Sequence, residues 1–213
     1  MKKLFMLCAA GLLIFQVKAQ QTKLIPDNRS FLSFSAGISV PILCYGSSNI
    51  DKNTSGFAKA GFIVNIHYGY RWGQNLGISA SAFYASNTAK TIVQSQGNDQ
   101  YSYVGLLAGP LVTTKLFPKT EGDFSLMAGV AHAWSPHLMY QDQTILNKDN
   151  STAFTWSASA AMRYHLSDNT FILLKADHTQ LKPKFHGPFT GENVKGEQHI
   201  VVMNFDAGLG IKF

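Results

Sequence analysis

The last thirteen residues alternate without a break. Val201, Met203, Phe205, Ala207, Leu209, Ile211 and Phe213 form one series, and Val202, Asn204, Asp206, Gly208, Gly210 and Lys212 the other. A period of two is the signature of a β-strand, whose successive side chains point to opposite faces. Seven apolar residues in strict alternation exceed what a half-buried strand of a soluble sheet needs. The same pattern recurs upstream. Phe34 to Val40 on even positions alternates with serine and glycine, and Phe62, Val64, Ile66, Tyr68 and Tyr70 alternate with Gly61, Ile63, Asn65, His67 and Gly69. Leu76 to Tyr84 and Phe154 to Tyr164 repeat it. Less regular strands fall near 103–115, 124–134 and 171–181, the first with two apolar faces and Pro110 inside it.

Eight strands result, and their connections sort by parity. The segments 41–56, 86–102, 135–153 and 182–199 are long, whereas 71–75, 116–123 and 166–169 are short. A sandwich has no reason to alternate long and short connections. A membrane barrel does, because its turns are short on one side and its loops long on the other. About 9–11 residues suffice for a tilted strand to cross, so eight strands with these loops use up the chain. The sequence therefore predicts an all-β fold: an eight-stranded antiparallel up-and-down transmembrane barrel with four long outer loops and three short periplasmic turns.

Composition agrees. Only 14% of residues are charged against 46% hydrophobic, whereas ordinary soluble domains carry about 25% charged residues. The start of the chain is a separate piece. Lys2 and Lys3 precede the apolar run from Leu4 to Phe15, too short to span a membrane, and Val17-Lys18-Ala19 supplies small or apolar residues at −3 and −1. This predicts a signal peptide over 1–19 cleaved after Ala19, a short periplasmic segment over 20–30 and the barrel over 31–213. Leu7 before Cys8 is unlike a lipoprotein cleavage site. Cleavage lowers the formal net charge from +6 to +3 and leaves Cys44 as the one cysteine. No nucleic-acid patch and no internal disulfide are expected.

The orientation that follows places Phe57, Tyr84, Tyr103, Trp134, Phe154 and Trp156 at the outer strand ends. It places Tyr68, Tyr70, Trp72, Phe124, Tyr164, Phe171 and Phe213 at the periplasmic ends. Two aromatic belts are expected where rings with polar edges meet the headgroups. Facing inward are Lys59, Arg163, Lys175, Asp177 and Asp206, with Arg71 and Lys212. An eight-stranded barrel is filled by side chains, so these charges are expected to pair into a network, Lys175 and Asp177 meeting Asn204 and Asp206.

The chain ends Asp206-Ala-Gly208-Leu-Gly-Ile211-Lys-Phe213. Asp206, Gly208, Ile211 and Phe213 resemble, residue by residue, the C-terminal assembly signal of Gram-negative outer-membrane proteins. With the signal peptide and the eight strands, the mature chain resembles the small outer-membrane barrel family that includes the OmpA transmembrane domain and OmpX. The resemblance implies insertion by the barrel-assembly machinery, a monomer, and contact with outer-membrane lipid and lipopolysaccharide. It implies no periplasmic wall-binding domain and no single activity.

A structural or surface-interaction protein, its long loops facing the medium and open to an extracellular ligand, is the reading the residues favour. The alternatives are a lipid A or phospholipid-modifying enzyme and a narrow pore. An enzyme would use Ser, His and an acidic residue near the outer rim. The candidates are His132, Ser135, His137, Asp177 and His178, but alternation sends Asp177 and His178 to opposite faces. His132 and His137 are not spaced as metal ligands, and no glycine loop cradles a phosphate. No catalytic residue, cofactor or metal is expected.

Overall fold

The computed structural model describes residues 29–47, 55–89, 94–95, 100–140, 143–146, 148–186 and 195–213. The signal peptide expected over 1–19, its expected cleavage after Ala19 and the segment 20–28 lie outside the described residues. Eight strands form a closed barrel: β1 (Ser30–Pro41), β2 (Ala58–Arg71), β3 (Leu76–Ala89), β4 (Gln100–Phe117), β5 (Thr120–Trp134), β6 (Asn150–His165), β7 (Thr170–Leu181) and β8 (Ile200–Lys212). Every pairing in the barrel is antiparallel, and all but the closing one join sequence neighbours. β8 closes on β1, from Phe31 opposite Lys212 to Pro41 opposite Val202. Closure leaves no unpaired edge, which a membrane-spanning sheet requires.

Alternation decides which side faces where. On β8, Asn204 and Asp206 are buried while Phe205, Leu209 and Ile211 are exposed. On β1, Phe31, Ser33, Ser35 and Ser39 point inward, and Leu32, Phe34 and Ile38 outward. The exterior is thus a continuous apolar band and the interior is largely polar. A soluble carrier barrel would show the reverse. β4 resolves into two apolar faces for a physical reason: Tyr101, Tyr103, Leu107 and Leu111 fill the lumen, and Val104 and Leu106 face outward. Pro110 is exposed, opposite Ile78 of β3. Its missing N–H costs one ladder bond but no register, since Leu111 resumes opposite Ser125.

Trp72–Asn75, Pro118–Lys119 and Leu166–Asn169 are the short turns, all at one end. Some of the long connections at the other end carry short strands of their own. Gln94–Ser95, Leu138–Tyr140 and Gln143–Leu146 form a three-stranded sheet, and Lys184–His186 pairs with Lys195–Glu197.

Three aromatic placements differ from the expected belts. Tyr103 and Phe171 sit on inward positions and are fully buried, and Phe57 packs into the outer mouth. Position along the chain locates a ring near an interface; only strand parity tells whether it faces lipid or lumen. The remaining belt residues do not share this burial, and Trp72, Phe124, Trp134, Phe154 and Phe213 are exposed.

Candidate functional site

The lumen is filled in layers, and each layer follows from the inward residues of adjacent strands. At the periplasmic end the hub is Glu121. Its carboxylate lies 2.9 Å from Lys212 Nζ, 3.1 Å from His165 Nε2, 3.2 Å from Arg163 Nη2 and 3.4 Å from Arg71 Nη1. One strand position inward, Asp123 binds Arg163 in two places, accepting from Nε and, at 2.8 Å, from Nη2. Such a fork-to-fork pair combines charge with fixed geometry. Thr113 donates to the same carboxylate at 2.7 Å. Arg163 has no exposed surface, and its guanidinium carbon lies 4.1 Å from the centroid of the Phe31 ring. Phe171 stands edge-on to Phe31, with ring centroids 6.0 Å apart.

The second layer is built on β7 and β8. Lys175 Nζ lies 3.2 Å from Asp177 and 3.4 Å from Asp206. Ser35 donates to Asp206 at 2.7 Å, and Asn204 and Thr179 each donate to Asp177 at 2.8 Å. Asn65 accepts from Ser81 nearby, across the β2–β3 pair. Two carboxylates with one ammonium leave unused acceptors. Asn204 Oδ1 and Asp206 Oδ1 are buried without a hydrogen-bond donor.

The outer end is apolar. Phe57, Ile63, Phe83, Leu107, Met127, Leu181, Phe185, Ile200 and Val202 close the bore together with Tyr101 and Tyr103. Tyr103 keeps its hydroxyl partnered, with Asn87 at 3.1 Å and Ser39 at 3.2 Å. Tyr45 enters this plug from the first outer connection and stands edge-on to Tyr101 at 5.3 Å. Its backbone carbonyl accepts from Ala58, and Leu43 and Phe57 on either side have φ of 54° and 53°. Positive φ at such residues is strained, so the insertion is held against a backbone cost. Tyr45 is not a loop residue displayed to the medium. Its hydroxyl is buried with no partner, and burial holds it well above the ordinary tyrosine range.

The structure brings Lys175, Asp177 and Asp206 together and puts Arg163 in the neighbouring layer. Lys59 is corrected: it is exposed, because a register shift between Ala58 and Gly61 interrupts the β2–β3 ladder and ends the inward series at Gly61. Sequence reasoning missed Glu121, Asp123, His165, Phe31 and Tyr45. The first two were recoverable, since Glu121, Asp123 and Ser125 share one parity once β5 is begun at Thr120 rather than Phe124. Of the terminal motif, Asp206 joins the charged layer, Gly208 pairs with Ser35, and Ile211 and Phe213 face outward.

The rim residues are not assembled. Asp177 is inside the lumen and His178 outside, its ring tilted against that of Trp156 with centroids 5.2 Å apart. His132 faces outward, with Nδ1 2.9 Å from Thr152 Oγ1 and the Trp134 ring 4.6 Å away. Ser135 is bonded to the Asp149 backbone. Among the described residues no group of three His, Cys, Asp or Glu is arranged to hold a metal ion.

A family profile described as "Outer membrane protein beta-barrel domain" matches residues 7–213. The fold is similar to that of Neisserial surface protein A, with a TM-score of 0.57 at 12% identity over 86% of this chain and 97% of that one. It is similar also to OprG from Pseudomonas aeruginosa, with a TM-score of 0.53 at 11% identity, covering 87% and 97%. Ail, the attachment invasion locus protein of Yersinia pestis, aligns with a TM-score of 0.50 at 14% identity, covering 87% and 99%. At these identities the likeness concerns the fold. No curated protein matches the chain in sequence.

Proposed function

We propose, from the premise that this chain belongs to the outer membrane protein β-barrel domain family, that it is a non-catalytic outer-membrane barrel acting through its outward surface. Its role is structural or that of a surface-interaction protein. Membership implies the outer membrane. The finer reading adds a Gram-negative envelope, removal of 1–19 after Ala19, delivery by the barrel-assembly machinery to the Asp206–Phe213 signal, and a monomer among lipid and lipopolysaccharide, its outer loops facing an extracellular ligand.

One observation carries the choice: the bore is filled from the Glu121–Arg163 layer to the apolar plug around Tyr101 and Tyr103. A solute path would need an open lumen. Against a lipid-modifying enzyme stands the separation of Asp177 from His178 by the barrel wall, since general-base catalysis needs the groups in hydrogen-bond reach.

Electrophoresis of the outer-membrane fraction with and without boiling tests the premise. A closed barrel migrates faster unboiled, and N-terminal sequencing of that band begins at Gln20. Unchanged migration with release in soluble form sinks the membrane reading. Lipid analysis of a deletion strain tests the absence of catalysis: an altered acylation pattern restored by the wild-type chain rejects it.

A further inference from the structure

Lys175 and Asp206 stand directly opposite each other across β7–β8, and both side chains are buried in the lumen. Opposed side chains of an antiparallel pair are about 5 Å apart at Cβ. The Lys175 amine reaches carboxyl groups of both strands, with Nζ 3.4 Å from Asp206 Oδ2 and 3.2 Å from Asp177 Oδ2. Little water reaches it: the side chains of Lys175, Asp177 and Asp206 are 1%, 4% and 0% exposed. The two carboxyl groups are not held alike. Asp177 Oδ1 accepts from Asn204 Nδ2 and from Thr179 Oγ1, both at 2.8 Å, and its Oδ2 is left to the amine. Asp206 Oδ2 accepts from Ser35 Oγ at 2.7 Å, while its Oδ1 has no donor. One oxygen of Asp206 is therefore polarised by a hydroxyl and the other is bare.

We infer that these groups close an intramolecular amide between Lys175 Nζ and Asp206 Cγ, joining β7 to β8 covalently inside the barrel. This is a single self-modification that turns over no substrate, and it is independent of what the outer surface binds. Desolvation narrows the gap between the buried ion pair and its neutral form. One proton passes from the Lys175 ammonium to Asp206 Oδ1, leaving a free amine against a carboxylic acid. The amine lone pair attacks Cγ from contact distance, and Oδ2 takes up the displaced electron pair under the Ser35 hydroxyl. Asp177 Oδ2 removes a proton from the new C–N nitrogen and returns it to the Oδ1 hydroxyl. That hydroxyl leaves as water when the C–Oδ1 bond breaks and the carbonyl re-forms on Oδ2. One C–N bond is made, one C–O bond is broken, one water is released, and nothing is oxidised or reduced. Asp206 is the acceptor because its bare Oδ1 is free to leave, whereas Asp177 holds two donors on one oxygen and offers the other to protons.

The test is mass spectrometry of one preparation of the chain, half kept in urea and half refolded into detergent, with folding checked by the unboiled band shift. The refolded chain is expected to be lighter than the urea sample by one water. Both halves are then denatured and digested with trypsin. Cleavage after Lys175 is expected only in the urea sample. The refolded sample is expected to give residues 164–184, uncut at Lys182 before Pro183, joined to residues 196–212. Asp206→Ala is expected to abolish the link, Ser35→Ala to slow it about a hundredfold, and Asp177→Asn to slow it about a thousandfold. A wild-type barrel that shifts fully yet keeps the unlinked mass overturns the inference without recourse to any variant. Loss of water confined to residues 164–184 rejects Asp206 as the acceptor and places the bond on Asp177. Linkage at the wild-type rate in a normally shifting Asp177→Asn barrel rejects the proton transfer assigned to Asp177.

Discussion

Arg163 is wholly enclosed, and what it touches determines what its loss does. Replacing it with methionine keeps the bulk against Phe31 but strands the Asp123 carboxylate beside Glu121. Breaking a buried pair from one side costs about 3–5 kcal/mol, so Arg163→Met is expected to lower the urea midpoint of the detergent-solubilised barrel strongly. Adding Asp123→Asn, which removes the orphaned charge, is expected to recover part of the loss; no recovery would mean that the packing on Phe31, not the ion pair, dominates. Two of the buried tyrosines of the mouth make an opposite pair. Tyr45 has an unpartnered hydroxyl and Tyr103 a doubly partnered one. Since an unmade buried hydrogen bond costs about 1–3 kcal/mol, Tyr45→Phe is expected to stabilise and Tyr103→Phe to destabilise, in the same unfolding assay. The pH dependence has a definite sign. Tyr45 is pushed above its ordinary value of 10.0 in the folded chain, so the unfolded chain loses that proton first. Stability is therefore full below about pH 10 and falls as pH rises beyond it. Tyr45→Phe should flatten that alkaline limb; an unchanged limb would place its origin elsewhere.

At the scale of the strand, the lumen aromatics are accommodated by glycines on the neighbouring strand. Phe31 is opposite Gly69, and Phe171 opposite Gly210. A Cβ at Gly69 would lie 2.2 Å from the Phe31 ring, and one at Gly210 would lie 2.1 Å from the Phe171 ring. Each ring lies across the bare backbone and from there reaches the Arg163 guanidinium. Gly210→Ala is expected to force Phe171 out of this position at a cost of about 1–3 kcal/mol, and a double change to Gly210→Ala with Phe171→Leu to be milder than the sum. Additive losses would show that the ring and the glycine do not meet. The same elements show why part of the site was legible and part was not. The inward parity of Lys175, Asp177 and Asp206 follows from alternation alone, because β7 and β8 carry no irregularity. Lys59 defeats that rule at one register shift in β2, and Phe171 shows that a ring at a strand end can belong to either face. Glu121 and Asp123 were hidden only by where the strand was taken to begin.

For the molecule as a whole, closure and filling decide what can pass. The bore is occupied by two charged layers below and an apolar plug above, and Tyr45 sits in that plug against a backbone cost at Leu43 and Phe57. In planar bilayers the wild-type barrel is expected to show no steady conductance. Tyr45→Ala with Tyr101→Ala removes the paired rings of the mouth and is expected to permit brief openings while the unboiled band still shifts. Steady wild-type currents would favour the narrow-pore alternative and reject the filled-lumen reading.

Alternation and loop parity are local properties, and both are written in the order of the residues. That is why the sequence by itself determined the strand number, the antiparallel up-and-down order, the apolar exterior and the inward parity of most lumen charges. Pairing across strands is not local. Arg163 is forty positions from Asp123, and Lys212 is ninety-one from Glu121; their meeting depends on register, tilt and the closure of β8 on β1. Only the tertiary structure decided that Glu121 is the hub of the periplasmic layer and that Tyr45 turns inward. Alternation assigns each residue a face, but the curvature of the closed sheet decides which residues on that face are neighbours.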